Sequence, residues 1–151
     1  MSLKEKIDAD IKQAMLARNK AELTALRGIK SMILLAETEK GAGGNLSEEA
    51  EMKVLMKAAK QRKESAELYA REGRQDLADK ENFEYEVIAR YLPQPLSEEE
   101  LRQEVAAIIA EVGATGMADM GRVMGVATGK LAGRAEGKAI AAVVKQLLSK
   151  A

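Results

Sequence analysis

Histidine, cysteine and tryptophan are all missing from this 151-residue chain. Without histidine there is no imidazole to act as a general base near neutral pH. Without cysteine there is no thiolate nucleophile, no Cys/His zinc site and no disulfide framework. That composition fits a reducing compartment, and a cytoplasmic location is expected. Net charge is missing too. The 24 Lys and Arg stand against 24 Asp and Glu, so no global basic field draws the chain to nucleic acid or membrane, and any such attraction must come from local patches. The N-terminus, MSLKEKIDADIKQ, lacks the uninterrupted apolar core of a signal peptide. No uncharged apolar run approaches the roughly 20 residues that span a membrane. These absences predict a soluble intracellular protein with no membrane partner.

Aromatics are scarce as well, limited to Tyr69, Phe83, Tyr85 and Tyr91. Ala, Leu, Lys and Glu dominate, a mixture that favours helix over strand. Leu3, Ile7, Ile11, Ala14 and Met15 recur at helical spacing and give a first helix one apolar stripe. Asn19 with Glu22 reads as the capping-box start of a second, carrying Leu23, Leu26, Ile29, Ile33 and Leu34. That helix ends at Gly41-Ala42-Gly43-Gly44, a flexible connection. Ser47 opens a long third helix running to Glu72, stopped by Gly73. A fourth begins near Asp76 and carries Leu77, Phe83, Val87, Ile88 and Tyr91.

Both prolines of the chain sit in Leu92-Pro93-Gln94-Pro95-Leu96, a stiff, extended segment. Ser97 with Glu100 is a second capping box and opens a fifth helix, which Gly113 ends. A sixth follows from about Met117 and a seventh from about Glu136. The expected architecture is all-α: an N-terminal four-helix domain over 1–92, a proline hinge at 93–96 and a small three-helix C-terminal domain over 97–151.

Charge is segregated along this framework. Over 53–74, Lys and Arg outnumber Asp and Glu seven to three, with Lys53, Lys57 and Lys60 on one side of the third helix and Arg62, Lys63 and Arg74 elsewhere around it. A basic stripe tracks a phosphate backbone by releasing counterions. The same residues also suit a solvated face with intrahelical pairs such as Lys60–Glu64 and Lys63–Glu67. Over 113–145 the basic residues Arg122, Lys130, Arg134, Lys138 and Lys145 face only Asp119 and Glu136, whereas 96–112 holds five Glu and one Arg.

Gly121, Gly125, Gly129, Gly133 and Gly137 recur every four residues. On a helix this spacing leaves a groove without side chains, at roughly 1 kcal/mol per Gly in propensity. Such a groove admits another backbone, either a helix of the same domain or a nucleic acid. Met117, Met120 and Met124 border it as an adaptable apolar patch, while Gly133 and Gly137 read more simply as turn and cap residues.

Two motifs are set aside. Gly125-Val126-Ala127-Thr128-Gly129-Lys130-Leu131 resembles a phosphate-binding loop, but its spacer is one residue short, Leu131 replaces the metal-binding hydroxyl, and no strand precedes it. Carboxylate pairs lie at caps or on charged faces without metal-ligand spacing. No catalytic residue, metal or cofactor is nominated.

With these residues in view, the chain resembles the YqeY family almost end to end. The matching stretches are Leu26-Arg27 with Lys30-Ser31, KQRKES at 60–65, Tyr69, Gly73-Arg74 with Asp76-Leu77, Lys80-Glu81, and Tyr91-Leu92-Pro93. Asp119-Met120-Gly121, Val123-Met124-Gly125 and Gly133-Arg134-Ala135-Glu136-Gly137-Lys138 complete the series. Glu136 stands where Asp is commoner and Arg122 where Lys is common. The same domain is similar to the C-terminal tail of the B subunit of the tRNA-dependent amidotransferase (GatB), which helps hold tRNA while activation and ammonia release occur elsewhere. The resemblance implies tRNA binding without ligase chemistry.

The expected function is a non-catalytic RNA-binding adaptor, with Lys60, Arg62, Lys63, Arg74, Gly121, Arg122, Gly125, Lys130, Arg134 and Lys138 as candidate contacts. Expected partners are tRNA and components of an amidotransferase or aminoacyl-tRNA synthetase, with no DNA. Two alternatives stay open. One is an accessory subunit in carbon–nitrogen ligation with glutamine as amido donor; the other is a protein–protein interaction module.

Overall fold

The computed structural model describes residues 1–39 and 43–150. Among them every regular element is helical, and the backbone falls into two compact units, Met1–Pro93 and Gln94–Ala151. Residues 41 and 42 of the small-residue loop after the second helix lie outside the described residues. Gly43 and Gly44 form a turn there with positive φ.

The first unit holds α1 (Leu3–Leu16), α2 (Lys20–Thr38), α3 (Glu48–Arg71) and α4 (Gln75–Ala89). Side-chain caps start three of them: Ser2, Asn19 and Ser47 accept the backbone N–H of Glu5, Glu22 and Ala50. At α2 the reciprocal half of the expected capping box is different. The Asn19 side-chain amide, rather than its backbone, donates to the Glu22 carboxylate at 3.0 Å. Gly73 takes the left-handed conformation (φ 77°) that ends α3 and reverses the chain into α4. These two helices make the most extensive pairing in the molecule.

Ile7, Leu26, Ile29, Ile33, Leu55, Val87 and Ile88 form the core of this unit. Two members of the expected apolar stripes, Met15 and Leu34, lie exposed instead, each turned about 100° around its helix from the buried Ala14 or Ile33 before it. One charged residue enters the core: Glu37 is 7% exposed and accepts from the Lys4 ammonium at 2.8 Å. That bond is also the main reason the Lys4 pKa is raised.

The second unit holds α5 (Glu98–Val112), a short 3-10 turn (Met117–Asp119), α6 (Met120–Lys130) and α7 (Gly137–Ser149). The capping box at Ser97 and Glu100 is complete, and Gly113 ends α5 in the left-handed region. The sixth helix starts three residues later than expected. Asp119 accepts the Thr115 backbone N–H at 2.9 Å, which holds 117–119 as a separate turn. Leu101, Val105, Ile108, Val123, Ala127, Leu131, Ile140, Val144 and Leu148 interlock as its core. The Leu96 N–H donates to the Arg134 carbonyl at 3.0 Å and ties the entry segment to the α6–α7 turn. No helix among the described residues is long and apolar enough to cross a membrane.

Candidate nucleic-acid interface

The ten candidate contacts divide between the units, and their surroundings differ. On α3, Arg62 follows Leu55 by seven residues, two helical turns, so it shares the side that packs on α4. Its guanidinium sits 3.1 Å from Glu81 and 3.2 Å from Glu84. Lys63 lies over the Tyr85 ring, 5.3 Å from its centroid, in a cation–π contact. That contact replaces the expected pairing of Lys63 with Glu67. Arg74 makes two 3.2 Å bonds to Asp76, which hold the Asp76 carboxyl below its usual range. Lys60 lies exposed with Lys57 and Lys53 along the outer side of α3, where Lys53 also pairs with Glu49 at 3.2 Å.

In the second unit, the core side of α6 is taken by Val123 and Ala127. Gly121 and Gly125 therefore face outward, and a Cβ built on either meets no heavy atom within 4 Å. The glycine stripe does not serve packing within its own domain at these two positions. Arg122 flanks it, held 3.2 Å from Asp119. The Asp119 carboxyl sits below its usual range, chiefly through the Thr115 N–H it accepts. Lys130 turns toward α5 and pairs with Glu111 at 2.6 Å. Arg134, half-buried, and Lys138, exposed on the first turn of α7, make no ion pair among the described residues. Arg134 lies close enough to the α5 cap to help hold the Glu100 carboxyl down.

The structure thus groups Gly121, Arg122 and Gly125 on one open helix face. It leaves Arg134 and Lys138 at the following turn without an ion pair among the described residues, and engages Arg62, Lys63, Arg74, Arg122 and Lys130 within the protein. Sequence reasoning missed the residues that engage Arg62 and Lys63, namely Glu81, Glu84 and Tyr85 on α4, and the pairing of Lys130 with Glu111 on α5. The signal was available for Arg62 in its spacing from Leu55. Gly125 to Lys130 lies wholly inside α6, so its backbone N–H groups are spent on the helix and cradle no phosphate. Among the described residues no group of three or more acidic side chains is placed to hold a metal ion.

A family model described as Yqey-like protein matches residues 4–148. The chain belongs to the YqeY family. Curated relatives of this YqeY chain are fungal proteins named altered inheritance of mitochondria protein 41, mitochondrial. The one from Clavispora lusitaniae is 36% identical over 113 residues, covering 74% of this chain and 65% of the relative. That from Lachancea thermotolerans is 35% identical, covering 68% of this chain and 56% of the relative. That from Meyerozyma guilliermondii is 37% identical, covering 55% of this chain and 42% of the relative. The matched part of the YqeY chain therefore spans less than two thirds of each relative.

These names correct the expected cytoplasmic location, since all three relatives are mitochondrial by name. The reason lies in what the composition tests. A lack of cysteine and of long apolar runs separates a reducing aqueous compartment from an oxidising or membrane one, and does not choose among aqueous compartments.

Proposed function

We propose that this chain is a non-catalytic RNA-binding adaptor, with tRNA as its ligand and the second unit as its main contact. The observation that carries the reading is the open face of α6. A Cβ on Gly121 or Gly125 meets nothing within 4 Å beyond its chain neighbours and its own helix backbone, with Arg122 beside them and Arg134 and Lys138 after the end of the helix. A helix face without side chains lets a ribose-phosphate backbone approach closely, and cations at its border neutralise phosphates. With four aromatic residues in the chain and none in the second unit, base stacking contributes little, so recognition rests on shape and backbone. The outer lysines of α3, Lys60 among them, form a secondary basic surface in the first unit. We read the two units as separate domains, four helices and three, joined at the proline segment.

The test is binding of a bulk tRNA preparation, followed by fluorescence anisotropy across a salt series. The wild-type chain binds at low salt, and Arg134→Ala with Lys138→Ala weakens binding. The double variant also lowers the slope of log affinity against log salt by about 0.7–0.9 for each phosphate it no longer neutralises. A wild-type chain that binds no tRNA at low salt overturns the reading.

A further inference from the structure

The second unit carries another surface, formed by different residues from the α6 face. Between α5 and α7 runs a groove of about 540 Å³, bordered by Leu101 and Arg102 on one side and Ala139, Ala142, Val143 and Lys145 on the other. Its floor is apolar: Leu101 is buried, Val143 half-buried, and Ala139 and Ala142, three residues apart on one side of α7, are small enough to leave room above them. At the rim, Arg102 and Lys145 are exposed and neither makes an ion pair among the described residues. This is notable beside a helix as acidic as α5, where Glu111 is engaged by Lys130 and Glu100 by the cap at Ser97. Glu98 also borders the groove, in the first turn of α5, where the helix dipole favours its charge.

We infer that this groove is a docking site for an acidic amphipathic helix of a protein partner. A fourth helix laid along this surface groove extends the packing of α5 and α7 toward a four-helix bundle. Such a helix presents large apolar side chains at i, i+3 or i+4, and i+7. These seat over Ala139 and Ala142 and against Leu101 and Val143. Carboxylates flanking that apolar stripe meet Arg102 and Lys145, the two rim cations with no acidic partner of their own. Charge complementarity thus selects the sign of the partner, while the alanines select a helix able to fill the hole. The groove residues are distinct from Gly121, Arg122, Gly125, Arg134 and Lys138, so one unit offers separate faces to a nucleic acid and to a protein.

The experiment uses the full chain and two fluorescein-labelled helical peptides of about 18 residues. Both carry leucine at i, i+3, i+4 and i+7; one has glutamate on the flanks and the other lysine. The acidic peptide binds about tenfold tighter than its basic twin at moderate salt, a difference of about 1.4 kcal/mol. Arg102→Glu with Lys145→Glu reverses the preference. Ala142→Trp fills the groove from an exposed helix position and abolishes binding while leaving the helical circular dichroism unchanged. Ala139→Trp serves the same purpose should the first variant melt early. Equal binding of the two peptides, or binding that survives both tryptophan variants, overturns the inference. So does displacement of the peptide by decanoate at concentrations below its micelle point, which assigns the groove to a fatty-acid anion instead.

Discussion

Arg62 lies with its guanidinium 3.1 Å from the Glu81 carboxylate, joining the middle of α3 to α4. The Glu81 side chain is 15% exposed and that of Arg62 34%, so the carboxylate is largely withdrawn from water while the arginine keeps about a third of its surface. Removing the arginine leaves Glu81 and Glu84, about one turn apart on α4, without the cation they share. Arg62→Ala is expected to destabilise the first unit by about 1–3 kcal/mol, read as an earlier denaturant midpoint, while leaving the salt slope of tRNA binding unchanged. A variant with wild-type stability and a reduced salt slope shows instead that Arg62 leaves Glu81 to contact RNA.

Tyr91 gives the same unit a distinct alkaline limb. Its phenol donates to Asp10 and so ties the end of α4 to α1. Burial, reinforced by that bond, pushes its pKa well above the ordinary 10.0. The folded state therefore holds this proton more tightly than the unfolded chain. The stability it contributes is fully present below pH 10 and is lost as pH rises above it, through the raised folded value. Ultraviolet titration should show one of the three tyrosines resisting ionisation until the protein unfolds. Tyr91→Phe should remove the resistant component and flatten the loss of stability above pH 10. Ionisation of Tyr91 at its ordinary pH while the protein stays folded contradicts the arrangement.

Much of this fold was legible because the helix signals are local. Asn19, Ser47, Ser97 with Glu100, Gly73 and Gly113 each act within one turn of themselves, and the apolar stripes have an unmistakable period. Legibility failed where a long-range partner decides. Nothing near Met15 or Leu34 says that the buried sector of each helix is too narrow to include them. The start of α6 is set by one hydrogen bond from Thr115 to Asp119, a contact that period and composition do not encode. Of the candidate site, the glycine spacing was plain, but its meaning depended on which side of α6 the core occupies, fixed by Val123 and Ala127. Arg62, Lys63 and Lys130 looked like surface cations because their partners on α4 and α5 are remote in sequence.

The second unit has an acid limb carried by two carboxyls. The Glu100 carboxyl is held below its ordinary 4.5 chiefly by the Ser97 backbone N–H, and the Asp119 carboxyl below its ordinary 3.8 chiefly by the Thr115 N–H. Both are depressed in the fold, so the stability they add is present above those ordinary values and is lost as pH falls through the lower folded ones. Hydrogen exchange followed by mass spectrometry should show α5 and the 117–119 turn opening more readily as pH drops below about 4, after correction for the intrinsic exchange rate. In Glu100→Gln with Asp119→Asn, the same segments open more at neutral pH and change little on acidification. A double variant that keeps the full acid dependence assigns that limb to other groups.

Gly125 separates packing from recognition in a single position. It lies inside α6, faces outward and has nothing within 4 Å of where a Cβ would sit. Alanine adds no clash and removes the glycine's propensity cost, so Gly125→Ala should stabilise α6 by about 1 kcal/mol. In a unit this small that raises its unfolding midpoint by about 4–8 °C. Leucine shares that clear Cβ position, and the rest of its side chain occupies the space that a ribose-phosphate backbone needs. Gly125→Leu should therefore keep or raise the midpoint while weakening tRNA binding about tenfold, a loss of about 1.4 kcal/mol. The opposite signs are the discriminating feature, because a side chain that damaged the fold would lower both. Stabilised variants that bind tRNA as the wild type does would move the RNA contact away from this face, leaving the two glycines without a role in recognition.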